Sequence, residues 1–569
     1  MIGSYPPALT MLLGAVLVPL LRGRVRQVYL LLLPVLSLVQ LLGLDGGESW
    51  QVTVFTYRLT LVRIDDLSLL FGYIFHIAAF IGLIFSLNIR DSLQQVAALV
   101  YAASAIGAVF AGDLITLFVY WELLAVSSAF LIWARRSERS NRAGIRYLII
   151  QIGSGVVLLA GIVLHVHETG SIAFGDLGIR GPATFLIFLA FGIKCAFPLL
   201  HNWLTDAYPE ATPAGAVFLS AFTTKVAVYA LARGFAGAEI GDVKVLVYIG
   251  AAMAAFPIFY AVIENDLRRV LAYSMINQIG FMVCGIGLGT ELALNGAVSH
   301  AFNDVLFKGL LFMSMGAVLY RTGKINGSEL GGLYKSMPLT ASFCIVGACS
   351  ISAFPLFSGF VSKSMVMTSA LEEGYDVVWL LLLFASAGVF HHAGIKIPFF
   401  AFFAHDSGIR CKEAPRNMLI AMGIAAGFCV FNGCFPEAFL YRLLPYDVHY
   451  SPYTSTHVIS QLQLLFFSAL AFTWLKLSGL YPPELRSVNL DVEWSYRRLL
   501  PATARGIARI GTLARTRLLD RLRTHASQFL DGVYRHHGPR GVFARTWPTG
   551  STVLWVVVIL VAFLVLYYL

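Results

Sequence analysis

Eight residues of this 569-residue chain could carry protons and stand where charge is costly: Glu122, Lys194, Lys225, His300, Asp304, Lys308, Lys363 and Lys396. Each lies inside an apolar run of spanning length. A charge near the centre of a membrane helix costs about 2.5–3.5 kcal/mol on insertion scales, so such residues are functional candidates. A single lysine could snorkel from a helix end. Five of them, with Glu122 and His300, point instead to a relay. Glu122 sits mid-run in Leu117-Phe118-Val119-Tyr120-Trp121-Glu122-Leu123-Leu124. Its carboxyl must find a cation on a neighbouring helix or carry a proton. Lys194 precedes Pro198 by four residues, and proline opens the helical hydrogen-bond ladder. A lysine beside freed carbonyls is an arrangement that transporter sites use. Lys363 repeats the theme, because Pro355 and Gly359 interrupt its run. His300, Asp304 and Lys308 fall at i, i+4 and i+8, on one helical face about 6 Å apart per step. Such a stripe is what a proton wire requires, and histidine exchanges protons near neutrality; a polar helix–helix contact is the alternative. Thr223 and Thr224 flank Lys225 and could hydrogen-bond it or hold water. Lys396 stands close to Pro398, where an edge or gate role competes with a relay role.

The elements that must position these groups follow from composition. Hydrophobic residues make up 58% of the chain and charged residues 13%, against about 25% charged in soluble proteins. Mean hydropathy is +0.75. A soluble enzyme, a disordered chain and a nucleic-acid binder are excluded. A spanning helix needs about 20 apolar residues. Sixteen runs qualify, near 5–21, 28–44, 67–87, 94–110, 114–134, 145–165, 183–204, 212–234, 244–264, 270–289, 294–320, 340–367, 377–403, 415–435, 458–480 and 551–569. The first lacks a basic leader and reads as a retained helix. Of the 41 Lys and Arg residues, 29 fall in alternate loops and four in the opposite ones. The positive-inside rule then places the first set in the cytoplasm and both termini outside. The expected fold is an all-α polytopic membrane protein of about 16 transmembrane helices, with two inverted five-helix repeats carrying broken helices. The expected divisions are 1–93 (three N-terminal helices), 94–234 and 235–403 (the repeats), 404–485, 486–547 and 548–569.

Seven cysteines are scattered, with no C-x-x-C pair and no zinc spacing. No Walker loop or dinucleotide fingerprint is present. No cofactor and no metal are expected, and fuelling by bound nucleotide is not.

Four motifs resemble one family. Gly112-Asp113-Leu114-Ile115-Thr116-Leu117-Phe118-Val119-Tyr120-Trp121-Glu122-Leu123 is similar to a signature of antiporter-like proton-conducting subunits. So are the stretch from Phe191 through His201-Asn202-Trp203-Leu204-Thr205-Asp206-Ala207-Tyr208-Pro209-Glu210-Ala211 to Lys225, the block Asp266-Leu267-Arg268-Arg269-Val270-Leu271-Ala272-Tyr273-Ser274, and Ser358-Gly359-Phe360-Val361-Ser362-Lys363. The family occurs in complex I, in membrane-bound hydrogenases and in multisubunit Mrp-type cation/proton antiporters. The resemblance covers roughly residues 60–440. It implies that Glu122 and Lys194 form the charge pair of one half-channel and that Lys225 is the central relay. It also implies that His300 and Lys308 continue the path and that Lys363 is the exit-side lysine. Two departures stand out. Thr205 occupies a position where the family usually has proline, and Asp304 stands where a second histidine often precedes the lysine by four. Asp304 could therefore neutralise Lys308.

Residues 486–547 hold twelve arginines and no lysine. Within 499–532, Leu500, Ile507, Ile510, Leu513, Leu518, Leu519, Leu522 and Phe529 recur at mainly helical spacing. This reads as a lateral amphipathic helix at the cytoplasmic interface, before the last spanning helix, with its arginines toward anionic lipid. Asn489-Leu490-Asp491-Val492-Glu493-Trp494-Ser495-Tyr496-Arg497-Arg498 is similar to the tail of D-type Mrp subunits. The resulting expectation is an ion-translocating subunit of an Mrp-type antiporter in the bacterial inner membrane. It would work beside other membrane subunits on protons and Na⁺ or K⁺, and would not be an enzyme by itself. The alternatives are a proton-pumping subunit of a redox-driven complex, or a membrane subunit of an ion-coupled bicarbonate uptake system.

Overall fold

The computed structural model describes residues 5–485 and 489–569; the apolar runs overlap its apolar helices, but the runs 183–204, 212–234 and 340–367 are each divided between two helices. Among the described residues, thirteen helices are long and apolar enough to cross a membrane, and three apolar ones are shorter: Pro7–Leu20, Pro182–Lys194 and Pro338–Ile351. The chain divides into two compact units, Met1–Asn489 and Leu490–Leu569.

The first unit opens with α1 (Pro7–Leu17) and α2 (Gly23–Leu42), then β1 (Gly47–Val54), β2 (Tyr57–Ile64) and α3 (Asp66–Phe85). The strands form an antiparallel hairpin closed by Phe55 and Thr56, with Val54 opposite Tyr57. The all-α expectation missed it. Its alternating Val52/Val54 and Leu59/Leu61 pattern is short and lies between two strong apolar runs. The hairpin is tied down where Asp113 Oδ2 accepts the Thr60 N–H at 2.7 Å, while Gly112 N–H donates to the Thr60 carbonyl at 3.0 Å.

Next come α4 (Ser92–Phe110), α5 (Leu114–Trp133), α6 (Glu138–Thr169), α7 (Pro182–Lys194), the short α8 (Asn202–Ala207), α9 (Pro213–Ala221) and α10 (Thr223–Phe235). They are followed by α11 (Val245–Ile263), α12 (Leu267–Leu288), α13 (Glu291–Thr322), α14 (Pro338–Ile351), α15 (Ser358–Glu372) and α16 (Asp376–Val389). The α16 helix runs on as π-helix through Phe390–Lys396 and Phe399–Phe403. The unit closes with α17 (Arg416–Cys434) and α18 (Ser455–Leu477).

Short polar side chains start these helices by accepting otherwise unpaired N–H groups. Asp113 accepts from Thr116, Asp266 from Arg268 and Arg269, and Thr290 from Ala293. The α6 and α13 helices are both 32 residues long and both end on a left-handed glycine, Gly170 and Gly323, each at φ 70°. The α4 and α11 helices are both 19 residues long. Packing is closest between α11 and α12. A Cβ on Gly250 would lie 2.3 Å from the Cys284 nitrogen, and one on Gly280 2.4 Å from that of Ala254. Backbones meet there because neither glycine has a side chain, as small residues allow between membrane helices.

Both interrupted helices break on the same tetrapeptide, Ala196-Phe197-Pro198-Leu199 after α7 and Ala353-Phe354-Pro355-Leu356 after α14. The φ angles match as well: 60° and 71° at Ala196 and Leu199, 57° and 74° at Ala353 and Leu356. Left-handed backbone at a non-glycine residue is uncommon and persists only where surrounding structure holds it.

In the second unit, α19 (Leu500–His537) is a continuous helix of 38 residues, about 57 Å long at 1.5 Å per residue. It extends beyond the expected 499–532. The first three residues of the basic segment, 486–488, lie outside the described residues. The α20 helix (Thr549–Tyr568) follows.

Candidate proton-transfer site

Lys194, Lys225, His300, Asp304, Lys308, Lys363 and Lys396 are all buried, each at most 1% exposed; Glu122 is half-buried.

Lys194 is the last residue of α7, where the Ala-Phe-Pro-Leu break begins. Its Nζ donates to the Trp121 carbonyl at 2.6 Å and stands 4.3 Å from the centre of the Trp121 ring. Desolvated ammonium–indole contacts of this kind are worth about 2 kcal/mol. Glu122, the next residue on α5, acts on Lys194 electrostatically. Its Oε1 is buried without a hydrogen-bond partner. The carboxylate occupies the space beside Gly155, where a Cβ would lie 1.3 Å from Oε1. Glycine at 155 is therefore what admits Glu122 between α5 and α6.

Lys225 sits just past a further backbone break that the sequence did not reveal. Phe222, at φ −108° and ψ −65°, separates α9 from α10. This leaves the Ser220 carbonyl to accept from Lys225 Nζ at 3.0 Å. The same Nζ lies 2.5 Å from Asp304 Oδ2. Thr223, offered above as a partner of Lys225, bonds Tyr101 instead, with its Oγ1 2.7 Å from the Tyr101 hydroxyl.

The three titratable residues of α13 share one stripe but turn to three different helices. His300 Nδ1 is 2.8 Å from Ser362 Oγ on α15, and its Nε2 is 3.1 Å from Gln278 Oε1 on α12. Asp304 pairs with Lys225 on α10. Lys308 Nζ donates to Ser274 Oγ on α12 at 2.9 Å. Asp304, expected to neutralise Lys308, makes its short contact with Lys225. Asp304 still acts on Lys308 through space.

Lys363, on α15, reaches back across the second break. Its Nζ donates to the Ile351 carbonyl at 2.7 Å and lies 5.0 Å from the Phe281 ring centre. Lys396 stands apart from these contacts. Its Nζ donates to the Val262 and Glu264 carbonyls, both at 2.6 Å, at the C-terminal end of α11, and pairs with Glu484 Oε1 at 3.0 Å. A cation is favourable there because the last carbonyls of a helix lack intrahelical partners.

Sequence reasoning missed Ser274, Gln278 and Ser362, the neutral polar groups that hold Lys308 and His300. Only their placement on helices facing α13 gives them meaning. Among the described residues no group of three or more His, Cys, Asp and Glu side chains could hold a metal ion.

The family model for the transmembrane region of NADH:quinone oxidoreductase and Mrp antiporters matches residues 111–391. An antiporter subunit of Staphylococcus aureus (strain Newman), mnhD2, is 30% identical over 351 residues, covering 57% of this chain and 70% of the relative. The chain belongs to this family. Hydrogenase-4 component B of Escherichia coli (strain K12) is 27% identical over 368 residues, 58% of this chain and 55% of that protein. A chain of the Mrp complex from Dietzia sp. DQ12-45-1b shares the fold, with a TM-score of 0.77 at 24% identity, covering 93% of this chain and 62% of that one. The chain spans 53–60% of the length of the first curated relatives it matches. These relatives are subunits or components of larger assemblies by name, and the chain is a multi-pass membrane protein of the same family.

Proposed function

We propose that the chain is an ion-translocating subunit of a multisubunit Mrp-type monovalent cation/proton antiporter. Protons move along Glu122, Lys194, Lys225, Asp304, His300, Lys308 and Lys363, with Lys396 at the edge of the path. The observation that carries this reading is the buried Lys225–Asp304 pair, 2.5 Å apart. It joins α10, in the expected first repeat (94–234), to α13, in the second (235–403). The matched helix lengths and the twice-used Ala-Phe-Pro-Leu break support that division into two half-channels.

Buried opposite charges hold each other because an unpaired charge in the interior is strongly unfavourable. When Lys225 gives up its proton, Asp304 is left without a cation, and its negative charge favours a proton on Lys308 or Lys363. Each transfer thus alters the cost of the next. Lys194 and Lys363, each held by a carbonyl and an aromatic face, are the outer stations. The membrane is a bacterial inner membrane with both termini outside, the partners are other membrane subunits, and anionic lipid or a neighbouring subunit lies along the arginines of α19. Na⁺ or K⁺ is the exchanged cation.

Similarity to hydrogenase-4 component B favours a second reading, a proton-pumping subunit driven by redox chemistry in its partners. Proton and cation flux in vesicles carrying the complete complex tests the first. Lys225→Ala and Glu122→Ala are each expected to lower flux at least tenfold; unchanged flux in both would remove the relay. Flux that needs an electron donor would move the chain to the second reading.

A further inference from the structure

Outside the path just described stands a further buried titratable side chain, His392. His392 lies in the π-helical stretch Phe390–Lys396 and is fully buried. Neither ring nitrogen makes a well-formed hydrogen bond, although the Gly388 carbonyl one turn back acts on the ring. A buried polar group left so is unfavourable, and π-helical insertions gather at functional sites. Through space, the charge of Lys308 acts on His392, and so do those of His391 and Lys396. His391 faces away, with its ring 5.4 Å from that of Phe472 and 5.7 Å from that of Tyr481.

Beyond His392, one turn further on, Lys396 is pinned to the α11 carbonyls and paired with Glu484. Both Glu484 oxygens are buried and free of hydrogen bonds apart from this ion pair. The chain of polar groups continues through Glu264, whose Oε2 accepts from Asn489 at 3.1 Å and lies 3.8 Å from Arg269, itself 31% exposed. The π-helix packs on the second break, since a Cβ on Gly394 would lie 2.3 Å from Ser352 Oγ.

We propose that His392 is a proton-transfer residue linking Lys308 to the Lys396–Glu484 pair, and that this pair, with Glu264, is a gateway at the α11–α12 end of the bundle. The proposal rests on the proton-path reading above. In the step toward the gateway, the Lys308 ammonium loses a proton to one imidazole nitrogen and becomes a neutral amine. The other nitrogen releases its proton to the Glu484 carboxylate, which becomes a carboxylic acid. Bridging water spans the gaps, and nothing is oxidised or reduced. Lys396 keeps its charge throughout, because three oxygen partners hold it, and so favours the anionic form of Glu484 to which the proton gate returns. The reverse sequence loads Lys308.

The test uses the complete complex in vesicles, measuring initial proton flux and subunit recovery together. His392→Gln keeps the volume and a hydrogen-bonding head but cannot relay a proton. It is expected to assemble and to lower flux at least tenfold, and Glu484→Gln is expected to do the same. External imidazole is expected to restore part of the flux of His392→Ala, a rescue that a packing role would not produce. Wild-type flux in His392→Gln, with flux abolished by Lys225→Ala, would overturn this proposal and leave the main path standing. Wild-type flux in Lys225→Ala would overturn both. Should His392→Gln fail to assemble, Glu484→Gln decides: a tenfold loss supports the gateway and unchanged flux removes it.

Discussion

The two interrupted helices make the same break and use it differently. After α7 the lysine is the residue two before the Ala-Phe-Pro-Leu turn, and its ammonium goes to the Trp121 carbonyl and ring. After α14 that position is Ile351, and the ammonium arrives from Lys363, on the far side of the break, to the Ile351 carbonyl. An ammonium group is thus held near each break, by a carbonyl of α5 at the first and by the last carbonyl of α14 at the second. Compensation differs too. Lys194 has Glu122 beside it on α5, whereas the carboxylate that acts on Lys363 is Asp304, which is already paired with Lys225. Lys194 has a carboxylate of its own half, whereas Lys225 of the first half and Lys363 of the second share the second half's Asp304. In the proposed path, coupling between the halves runs through Asp304.

The contrast can be broken most severely at that shared residue. Asp304→Ala leaves Lys225 buried and unpaired, and removing one partner of a buried pair costs about 3–5 kcal/mol. A large drop in the melting temperature of the complex, with loss of flux, is expected; a variant as stable as wild type would show that Asp304 is dispensable to both halves. Gly155→Ala acts on the first half alone. The new Cβ must displace Glu122, with an overpacking cost of about 1–3 kcal/mol and reduced flux. Retained flux would mean that the carboxylate need not stand between α5 and α6. Ser362→Ala acts on the second half, removing the Nδ1 partner of His300 at about 1 kcal/mol, and a few-fold fall in flux is expected. The smallest effect is at Asp406, in the loop after α16. Arg410, then the Gly408 N–H and Lys335, hold its carboxyl well below the usual carboxylate range. Because the folded-state pKa is depressed, its contribution is complete above an unfolded value of about 3.9 and is lost as pH falls through the folded one. Melting curves between about pH 6 and 8 should therefore show no pH dependence from this group, and Asp406→Asn should leave flux unchanged.

The charged members of the site were legible because a membrane helix makes each one conspicuous, and the prolines at 198 and 355 announced both breaks. Their partners were not. The spacing of His300, Asp304 and Lys308 correctly gives one stripe, but a stripe facing three helices can be read only when α10, α12 and α15 are in place. Phe222 carries no turn signal, so the break that frees the Ser220 carbonyl was invisible. The β1–β2 hairpin was hidden by its length, and His392, beside His391 and four residues before Lys396, by the lack of a recognisable motif around it.

The central claim, that protons pass through the Lys225–Asp304 pair, is tested most directly by replacing both members with apolar residues of similar size. Well-packed hydrophobic replacement of a buried pair is often neutral or stabilising, so the Lys225→Met/Asp304→Leu double variant should assemble and melt close to wild type. Proton flux in vesicles with the complete complex is predicted to fall at least a hundredfold while assembly is kept. Flux at the wild-type level in that variant would contradict the account.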